Sequence, residues 1–412
     1  MREPTTLLLL TNRFPYGTGE EYLEQEITYL ARTFDRILVA PCMRAPAGQP
    51  RKLPSNVTAL RAPLPNHRRE TLSMAVQGAR SLGCMGRHAR HPVRETYEDY
   101  FVGRAERVAD ALEAPVRDAL GGATPDVIYS YWFYLSAQVA TELRKRCGWQ
   151  APLVSRAHGY DINVHASPVN HLPQRKHLLR ECDFVWPVSS AAASDLRSAY
   201  PQYAHRIQVR RLGTPALLEA PVASREELKI VTCSMIRPLK RLDVVQEAVR
   251  LLRERGYAVE WLHIGAGTGR YSDKLKERAI CTTYQRFTGY VENSDIFGVY
   301  THERPTVFLN VSSSEGVPVS AMEAMACGIP VLATNVGGTA ELLGPLGDGC
   351  LLPAGIDAAD LASAIQSEIL DLADHEYRAL SERTVQQWEQ IASAEAIYTS
   401  FSEEVRALAR HS

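Results

Sequence analysis

The sequence lacks several features that would assign a protein class at once. Its 412 residues contain no hydrophobic run as long as a membrane-spanning helix, and the stretch from Thr6 to Leu10 is too short for a signal-peptide core. Eight cysteines are widely spaced and form no C-x-x-C pair, which argues against a zinc site and a disulfide scaffold. There is also no internal repeat and no low-complexity segment. These absences predict a cytoplasmic protein with reduced cysteines.

Metal-binding and cofactor-binding motifs are missing as well. Four histidines lie close together, at positions 158, 165, 171 and 177, but their spacing fits no usual metal motif. The G-x-G-x-G turn that begins at Gly265 is by itself a weak nucleotide signal, and we interpret Gly265 and Gly267 mainly as tight-turn residues. The sequence therefore predicts neither a bound metal ion nor a cofactor.

Positive charge is concentrated in one segment. The formal net charge is only −1, yet the segment from Arg44 to Arg94 contains ten Lys or Arg residues and a single acid, Glu70. Such a segment favours a phosphate-bearing partner, namely an anionic membrane surface, a lipid-diphosphate acceptor or nucleic acid, and a solvated arginine-rich face is an equal alternative. Nucleic acid is the least favoured partner because the segment has no interleaved aromatic residues.

The length and the strand pattern predict two domains. Composition, with 45% hydrophobic and 23% charged residues, is that of a globular enzyme, and 412 residues exceed one ordinary core. Buried strands alternate with helices in two series, the first from Leu7 and the second from Ile230. This alternation predicts an α/β fold with parallel, doubly wound sheets. We assign residues 1–218 and 226–392 to the two domains, with a linker within 215–227.

The stretch from Val307 to Leu343 holds the most informative pattern. It is typical of a buried strand over 307–311, a polar turn, a helix of about ten residues, a second buried strand over 330–333 and a Gly-Gly turn. The serines at 312–314 are suited to cap the helix, Pro318 suits its first turn, and Gly328 suits its exit.

Two glutamates in this stretch are candidate ligand-binding residues. Glu315 lies in the turn and Glu323 lies near the middle of the helix, so along a helix axis at most about 12 Å would separate them. A mid-helix glutamate is usually solvated, but this helix is apolar nearly all round and is expected to be buried. A buried carboxylate needs a partner or a ligand. The pair therefore suits a nucleotide-sugar, with one glutamate at each hydroxyl-bearing end.

The segment EGVPVSAMEAMACGIPVLATNVGG, from Glu315 to Gly338, resembles the signature of a known family. It is similar to the retaining GT-B glycosyltransferases of the large fourth family, the glycosyl transferases of group 1, whose two Rossmann-like domains face each other across a cleft. The resemblance implies an acceptor domain over 1–218, a donor domain over 226–392 and a terminal helix, 393–412, that packs back on the first domain. It is specific in this stretch and weaker elsewhere.

The resemblance also implies roles for residues around the two glutamates. In that family the first glutamate binds hydroxyls of the donor sugar and the second binds the nucleotide ribose, which implies these roles for Glu315 and Glu323, with Gly316 and Val317 beside them. The family has a lysine that matches Lys240 and binds the diphosphate. Its preceding glycine and arginine are replaced here by Ser234 and Met235, so the second cation is either Arg237 or Arg241.

Other residues are assigned by their position as well as by the resemblance. His158 follows a strand, at the edge of a parallel sheet where ligands bind, and the family has a histidine before glycine in the matching segment, beside the transferred sugar. Asp161 is expected to order the same loop. Val291 is implied as a contact of the nucleotide base. The glycines of the loop NRFPYGTGE, Gly17 and Gly19, would let the backbone approach the diphosphate or the acceptor.

The activity that the resemblance implies is retaining, metal-independent transfer of a hexose or N-acetylhexosamine from a nucleotide-diphosphate sugar to an acceptor hydroxyl. The sequence leaves the nucleotide open between uridine and guanosine, with a lean to uridine, and the basic segment favours a lipid-linked or anionic acceptor at the inner face of a membrane. Two related enzymes, a GT-B sugar-nucleotide epimerase and a phosphorylase, remain alternatives. A non-catalytic sugar-binding protein is the alternative of another class.

Overall fold

The computed structural model describes residues 4–44, 48–66, 68–83, 91–167, 169–217 and 227–409. The chain forms two compact units, one of Met1–Arg210 with Tyr398–Ser412, the other of Arg211–Ile397. Within the predicted linker, residues 218–226 lie outside the described part. No helix in the described ranges has both the length and the apolar character that a membrane crossing requires.

The first unit is built on a six-stranded sheet with helices. Its strands, β1 to β6, are Thr6–Thr11, Arg36–Pro41, Val57–Ala59, Val127–Ser130, Leu153–Ala157 and Phe184–Pro187. Its helices, α1 to α6, are Leu23–Thr33, Thr71–Ser81, Pro92–Leu120, Leu135–Cys147, Arg175–Glu181 and Ser190–Ala199.

The second unit repeats this plan. Its strands, β7 to β12, are Leu228–Cys233, Val259–Ile264, Gln285–Phe287, Val307–Asn310, Val331–Thr334 and Leu351–Leu352. Its helices, α7 to α13, are Leu242–Glu254, Arg270–Ile280, Ile296–Glu303, Val319–Ala326, Thr339–Leu343, Ala358–Ile365 and Asp374–Ile391. The last helix, α14, is Ala394–Leu408, and its residues from Tyr398 onward belong to the first unit.

Both sheets are parallel and share one topology. The strand orders are β3-β2-β1-β4-β5-β6 and β12-β11-β10-β7-β8-β9. Every ladder between neighbouring strands is parallel. The order reverses between β1 and β4 in one sheet and between β7 and β10 in the other, and ligands of such sheets bind outside the carboxyl ends of the strands at these switch points. The predicted α/β class with two parallel sheets is confirmed.

Burial explains why the strands could be predicted from the sequence. Residues 7–10 of β1 are completely buried, since the strand lies inside its sheet with helices on both faces. A strand of this kind carries no alternation and appears as a continuous apolar run. The same holds for β10 and β11, where every residue except Asn310 is buried.

The start of α10 differs from the prediction. The helix begins at Val319 and spans eight residues, with Pro318 at the capping position and no side-chain cap. The serines at 312–314 therefore do not cap it, and that prediction was wrong. Pro318 has extended backbone (φ −75°, ψ 96°) and lies just before the helix rather than in its first turn, so residues 311–318 form a loop. The predicted exit is confirmed, because Gly328 adopts φ 68°.

Candidate active site

Two loops meet at the switch point of the second sheet. Residues 234–241 follow β7 and residues 311–318 follow β10, and these two strands are neighbours. Lys240 Nζ donates a hydrogen bond to Glu315 Oε1 at 2.5 Å. The side chains are 21% and 12% exposed, so the pair is largely shielded but reachable. Two of the residues predicted from the sequence to bind the donor are thus in direct contact.

Asn310 and the serines fix the geometry of this pair. Asn310 Nδ2 donates to Glu315 Oε1 at 3.1 Å, and Asn310 Oδ1 accepts from the backbone and hydroxyl of Ser312. The backbone N–H of Ser313 donates to the carbonyl of Leu239 at 2.8 Å. The serines therefore do not begin a helix but connect the Glu315 loop to Asn310 and to the turn that carries Lys240.

The Gly-Gly turn after β11 supports the same loop from its other side. Gly338 N–H donates to the carbonyl of Gly316 at 2.7 Å. Gly337 has φ +56°, and a Cβ built on it would lie 2.0 Å from the carbonyl oxygen of Glu315. Glycine is required here for two reasons, the left-handed backbone and the close approach of two main chains.

Gly265 and Gly267, interpreted above as tight-turn residues, pack against the Lys240 loop. A Cβ on Gly265 would lie 1.9 Å from the carbonyl oxygen of Ser234, and one on Gly267 would lie 2.5 Å from Cβ of Ile236. The backbones of 234–236 and 264–266 are also hydrogen-bonded, Ser234 to Ile264 and Ile236 to Ala266. Their main role is thus close main-chain packing, although Gly265 also has positive φ.

Glu323 lies on α10 and is 4% exposed. Its Oε1 accepts a hydrogen bond from Asn293 Nδ2 at 2.7 Å. Burial and the nearby Glu323 carboxylate raise the pKa of the Cys327 thiol to about 12. They also raise the pKa of Cys233, at the end of β7. The predicted burial of this glutamate is confirmed, and its carboxylate lies close to the carboxyl end of the sheet.

The two candidate arginines have different surroundings. Arg241 donates from its guanidinium to the backbone carbonyls of Ala354, at 3.1 Å, and Ile356, at 2.5 Å. Arg237 is exposed, and its guanidinium contacts the sulfur of Met235 at 3.4 Å. Arg237 is therefore free to turn towards an anion, whereas Arg241 would first have to release two carbonyl groups.

The remaining donor candidates line the same loops. Gly316 is half-buried and Val317 packs on the apolar core of the second unit. Val291 also packs on this core and lies two residues before Asn293, the partner of Glu323. Their proposed contacts with a nucleotide stay predictions. Among the described residues no group of three or more His, Cys, Asp and Glu side chains is placed to hold a metal ion.

In the first unit, His158 follows β5 and is 6% exposed. Its ring packs against Tyr131, Trp132 and Tyr22, with centroid separations of 4.7, 4.6 and 5.5 Å. Nε2 lies 2.9 Å from the carbonyl oxygen of Tyr131, which can only accept, so Nε2 carries the proton. Burial, together with Arg156, lowers the pKa of His158 to about 3. The imidazole is therefore neutral near pH 7.

Asp161 orders the His158 loop, as expected from the sequence. Oδ1 accepts from the backbone N–H groups of His158 and Gly159, at 2.8 and 2.9 Å, and Oδ2 accepts from Phe133 N–H at 3.0 Å. Arg175 donates to the carbonyls of Phe133 and Asp161, at 2.8 and 2.5 Å. Asp161 is completely buried, and it fixes the loops that follow β4 and β5 relative to each other.

The loop predicted to cradle phosphate in the first unit contains an internal carboxylate. Glu20 accepts from the backbone N–H groups of residues 12, 13 and 14, at 2.8, 2.7 and 2.7 Å, and from Trp132 Nε1 at 2.7 Å. An anion would have to compete with Glu20 for those amides. Gly17 and Gly19 have positive φ, 72° and 108°, and Gly19 N–H donates to Glu21. Their predicted approach to a ligand stays a prediction.

Comparison with solved structures identifies the fold. Sucrose-phosphate synthase from Thermosynechococcus elongatus superposes with a TM-score of 0.72 and 18% identity, over 99% of this chain and 100% of that one. HepE from Anabaena, in complex with UDP, gives a TM-score of 0.63 and 17% identity, over 98% of this chain and 100% of that chain. At these identities the likeness shows the fold, which is the two-domain GT-B fold of glycosyltransferases.

The second unit resembles a known family. Residues 227–371 match the family model described as glycosyl transferases group 1. The amylovoran biosynthesis glycosyltransferase AmsK of Erwinia amylovora is 27% identical over 286 residues, which are 66% of this chain and 68% of that protein. WcaL of Escherichia coli K12, assigned to colanic acid biosynthesis, is 28% identical over 59% of this chain and 62% of its own length.

Sequence reasoning missed Asn310, Asn293, Gly337 and Glu20. Asn310 could have been predicted from the sequence. It is a polar residue at the end of a buried strand at the switch point, where side chains contact ligands. Glu20 was also readable as an acid at the end of a glycine turn before a helix. Asn293 and the 2.0 Å approach at Gly337 gave no signal, because both depend on packing between distant segments.

Proposed function

We propose that the protein is a retaining glycosyltransferase that moves a hexose or N-acetylhexosamine from a nucleotide-diphosphate sugar to an acceptor hydroxyl. The observation that carries the proposal is the Lys240–Glu315 pair, at 2.5 Å, beside the buried Glu323 at the switch point of the second sheet. These residues lie within the part that matches the family. A cation flanked by two carboxylates suits a ligand with a central diphosphate and a hydroxyl-bearing group at each end.

Each side chain has a role in this proposal. Lys240 binds the diphosphate, and Arg237 is the second cation because its guanidinium, unlike that of Arg241, does not hold two carbonyl groups. Glu315 accepts hydrogen bonds from the sugar hydroxyls, and Glu323 accepts them from the ribose. The cations stabilise the negative charge that develops on the departing diphosphate.

The bonding changes need no general base from the protein. The bond between the anomeric carbon and the diphosphate oxygen breaks, and the acceptor oxygen bonds to the same face of that carbon. The acceptor proton passes to the leaving phosphate oxygen. His158 is poorly suited as a base, because its pKa is lowered to about 3 and its Nε2–H is already donated. Its role in the proposal is to line the site beside the sugar.

The donor base is proposed to be uridine, with guanosine as the alternative. HepE was solved with UDP and with UDP-glucose on the same fold, which supports uridine. The relatives assigned to amylovoran and colanic acid biosynthesis support a product that is a polysaccharide, and a glycolipid or a glycosylated metabolite remains within the same chemistry. The acceptor is proposed to be lipid-linked or anionic, at the inner face of a membrane.

Thermal unfolding with nucleotides tests the donor site. The parent protein and Glu323→Gln are melted with EDTA and with UDP, GDP, ADP or dTDP, and with their common sugar conjugates. A ligand at a hundred times its Kd adds about 2.7 kcal/mol, which moves the midpoint by several degrees. Loss of the charged partner is expected to weaken nucleotide binding roughly ten- to a hundredfold, because a hydrogen bond to a charged group contributes about 1.5–3 kcal/mol.

Glu303→Gln is the matched control. Glu303 is also a well-shielded glutamate of the second unit, 16% exposed and bonded to Arg286, but it is the last residue of α9. It should respond to nucleotide like the parent protein. Equal responses of Glu323→Gln and the parent would reject the ribose assignment. Binding that disappears with EDTA would reject metal independence. Transfer is then measured with the sugar conjugate that binds.

A further inference from the structure

The structure separates the basic segment, Arg44 to Arg94, into two parts. Arg51 forms ion pairs with Glu21, at 3.2 Å, and Glu24, at 2.5 Å, and donates to the carbonyl of Gly17. The guanidinium of Arg61 lies over the ring of Tyr16, 4.6 Å from its centroid. These two arginines hold the loop after β1. Beyond Ala62, the basic residues of the segment that the structure describes lie in the turn before α2, on α2 and in the first turn of α3. We call α2 and α3 the helical hairpin.

The hairpin is built so that one side of α2 must face outward. A Cβ on Gly78 would lie 1.8 Å from the carbonyl oxygen of Asp99, and one on Gly103 would lie 1.9 Å from that of Met74. The backbones of α2 and α3 thus touch, and Met74 is completely buried between them. Leu72 and Val76, one helical turn apart, are instead 79% and 38% exposed.

Further exposed apolar and basic side chains lie on the same hairpin and in the turn that leads into α2. Leu82, after α2, is 41% exposed, and Val93, in the first turn of α3, is 65% exposed. Four exposed arginines accompany them, Arg68, Arg69, Arg80 and Arg94, and none forms an ion pair with the residues that the structure describes. We name these four apolar and four basic residues the hairpin surface. Glu70, the residue just before α2, is paired with Arg107 at 2.6 Å.

We propose that the hairpin surface docks the protein on an anionic lipid bilayer. Exposed leucine and valine side chains enter the boundary between headgroups and acyl chains, and arginines at the same level bind lipid phosphates. A solvated arginine face does not require exposed aliphatic side chains, and a protein interface does not require four unpaired cations, whereas an anionic bilayer binds both. The combination is that of an interfacial membrane helix.

The hairpin also has a suitable position within its own unit. Near the start of α3, Tyr97 and Tyr134 are hydrogen-bonded through their hydroxyls, and Glu98 accepts from His171 at 2.6 Å. Tyr134 and His171 belong to the loops after β4 and β5, as does His158. Docking would therefore bring the bilayer towards the edge of the first sheet where His158 lies. Membrane binding itself does not depend on the proposed transfer reaction.

Co-sedimentation with lipid vesicles tests the proposal. The parent protein is expected to bind vesicles containing phosphatidylglycerol at low salt, to bind pure phosphatidylcholine much less, and to lose affinity as salt rises. Replacing two cations, Arg80→Gln with Arg94→Gln, should weaken binding about thirtyfold. Replacing two apolar residues, Leu72→Ser with Val93→Ser, should weaken it about tenfold or more, also at high salt.

Ile280→Ser is the control. Ile280 is 83% exposed at the end of α8, in the second unit, and belongs to no basic surface. It should bind vesicles like the parent, and equal losses in all three variants would overturn the proposal. So would parent protein that fails to bind anionic vesicles, or that shifts RNA or DNA through the same arginines instead. Nucleotide-induced stabilisation, measured on every variant, should stay at the parental value and shows that each is folded.

Discussion

At the residue scale, Lys240 shows how the protein solves an electrostatic problem. A cation just before the N-terminus of a helix is unfavourable unless an anion lies nearby, and Lys240 and Arg241 both precede α7. From the sequence the anion was expected to be a bound diphosphate. In the structure Glu315 pairs with Lys240, and two backbone carbonyls accept from Arg241. A diphosphate would then compete with Glu315 for Lys240 and leave the glutamate to face the sugar.

The Gly337→Ala variant should lose nucleotide affinity although it removes no ligand-binding group. A Cβ there would lie 2.0 Å from the carbonyl oxygen of Glu315, and φ is +56°. The Glu315 loop must therefore shift, and the residue itself is strained. We expect nucleotide affinity to fall at least about tenfold and the free energy of unfolding to fall by about 1–3 kcal/mol. Isothermal titration and urea unfolding measure the two quantities.

Gly344→Ala provides the matched comparison. Gly344 follows α11, has φ −51°, and a Cβ on it would meet no atom within 4 Å. This variant should bind nucleotide as the parent does. If Gly337→Ala behaved like Gly344→Ala, the Gly-Gly turn would not hold the Glu315 loop in place.

At the element scale, a buried ion pair joins four elements of the first unit. Arg156 on β5 lies 3.0 Å from Glu26 on α1, and both side chains are completely buried. Tyr129 on β4 donates to Glu26 at 2.6 Å and accepts from Arg156 at 2.9 Å. The ring of Phe401 on α14 lies 4.2 Å from the guanidinium carbon. The pair thus holds α14 on the sheet of the first unit.

Breaking this pair on one side should be costly. Glu26→Gln leaves the Arg156 charge buried without a counter-ion, and Arg156→Met does the same to Glu26, so each single variant should lose about 3–5 kcal/mol of unfolding free energy. The double variant should lose less than the sum, because no unpaired charge remains. Urea unfolding of the three variants measures this.

The control for the ion pair is exposed. Glu247 and Arg250 pair at 2.7 Å on the surface of α7, each 44% exposed, and the same substitutions there should change stability little. Strictly additive losses at Glu26 and Arg156 would contradict the role of the buried pair.

At the scale of the whole molecule, two buried histidines make stability depend on pH. Burial lowers the pKa of His158 to about 3 in one unit and that of His263 to about 4 in the other. Between these values and about 6.5, the unfolded chain binds protons that the folded chain does not, so stability decreases as pH falls through that window. Each histidine should remove about 2 kcal/mol between pH 7 and pH 5.

His158→Gln and His263→Gln test this by difference. Each variant should lose less stability than the parent between pH 7 and pH 5, by about 2 kcal/mol. The comparison with the parent is necessary because burial raises the pKa of Glu26 and Asp161, which opposes the histidines. Urea unfolding at the two pH values gives the difference, and parallel pH dependence of parent and variants would show that these histidines titrate in the folded state.

Much of the fold was predictable because its strands are continuous apolar runs. The strands β5 and β10 and the burial of Glu323 were predicted correctly, since each depends on local composition. The start of α10 was not predicted correctly. Serines that could cap a helix can equally form a loop with Asn310, and the sequence does not distinguish the two. The candidate site was predicted from its glutamates and Lys240. The sequence did not show which side chains of the site form hydrogen bonds with one another.

The sequence by itself determined the α/β class and the two series of strands. It also identified Lys240, Glu315 and Glu323 as the charged residues near the switch point of the second sheet. These features could be predicted because burial and helix periodicity depend on the pattern of apolar residues close together in the chain. Only the tertiary structure decided that Glu315 pairs with Lys240, that Glu20 occupies the amides after β1, and that Leu72 and Val93 remain exposed. These outcomes depend on atoms far apart in the chain, whose approach is fixed by the packing of the whole unit.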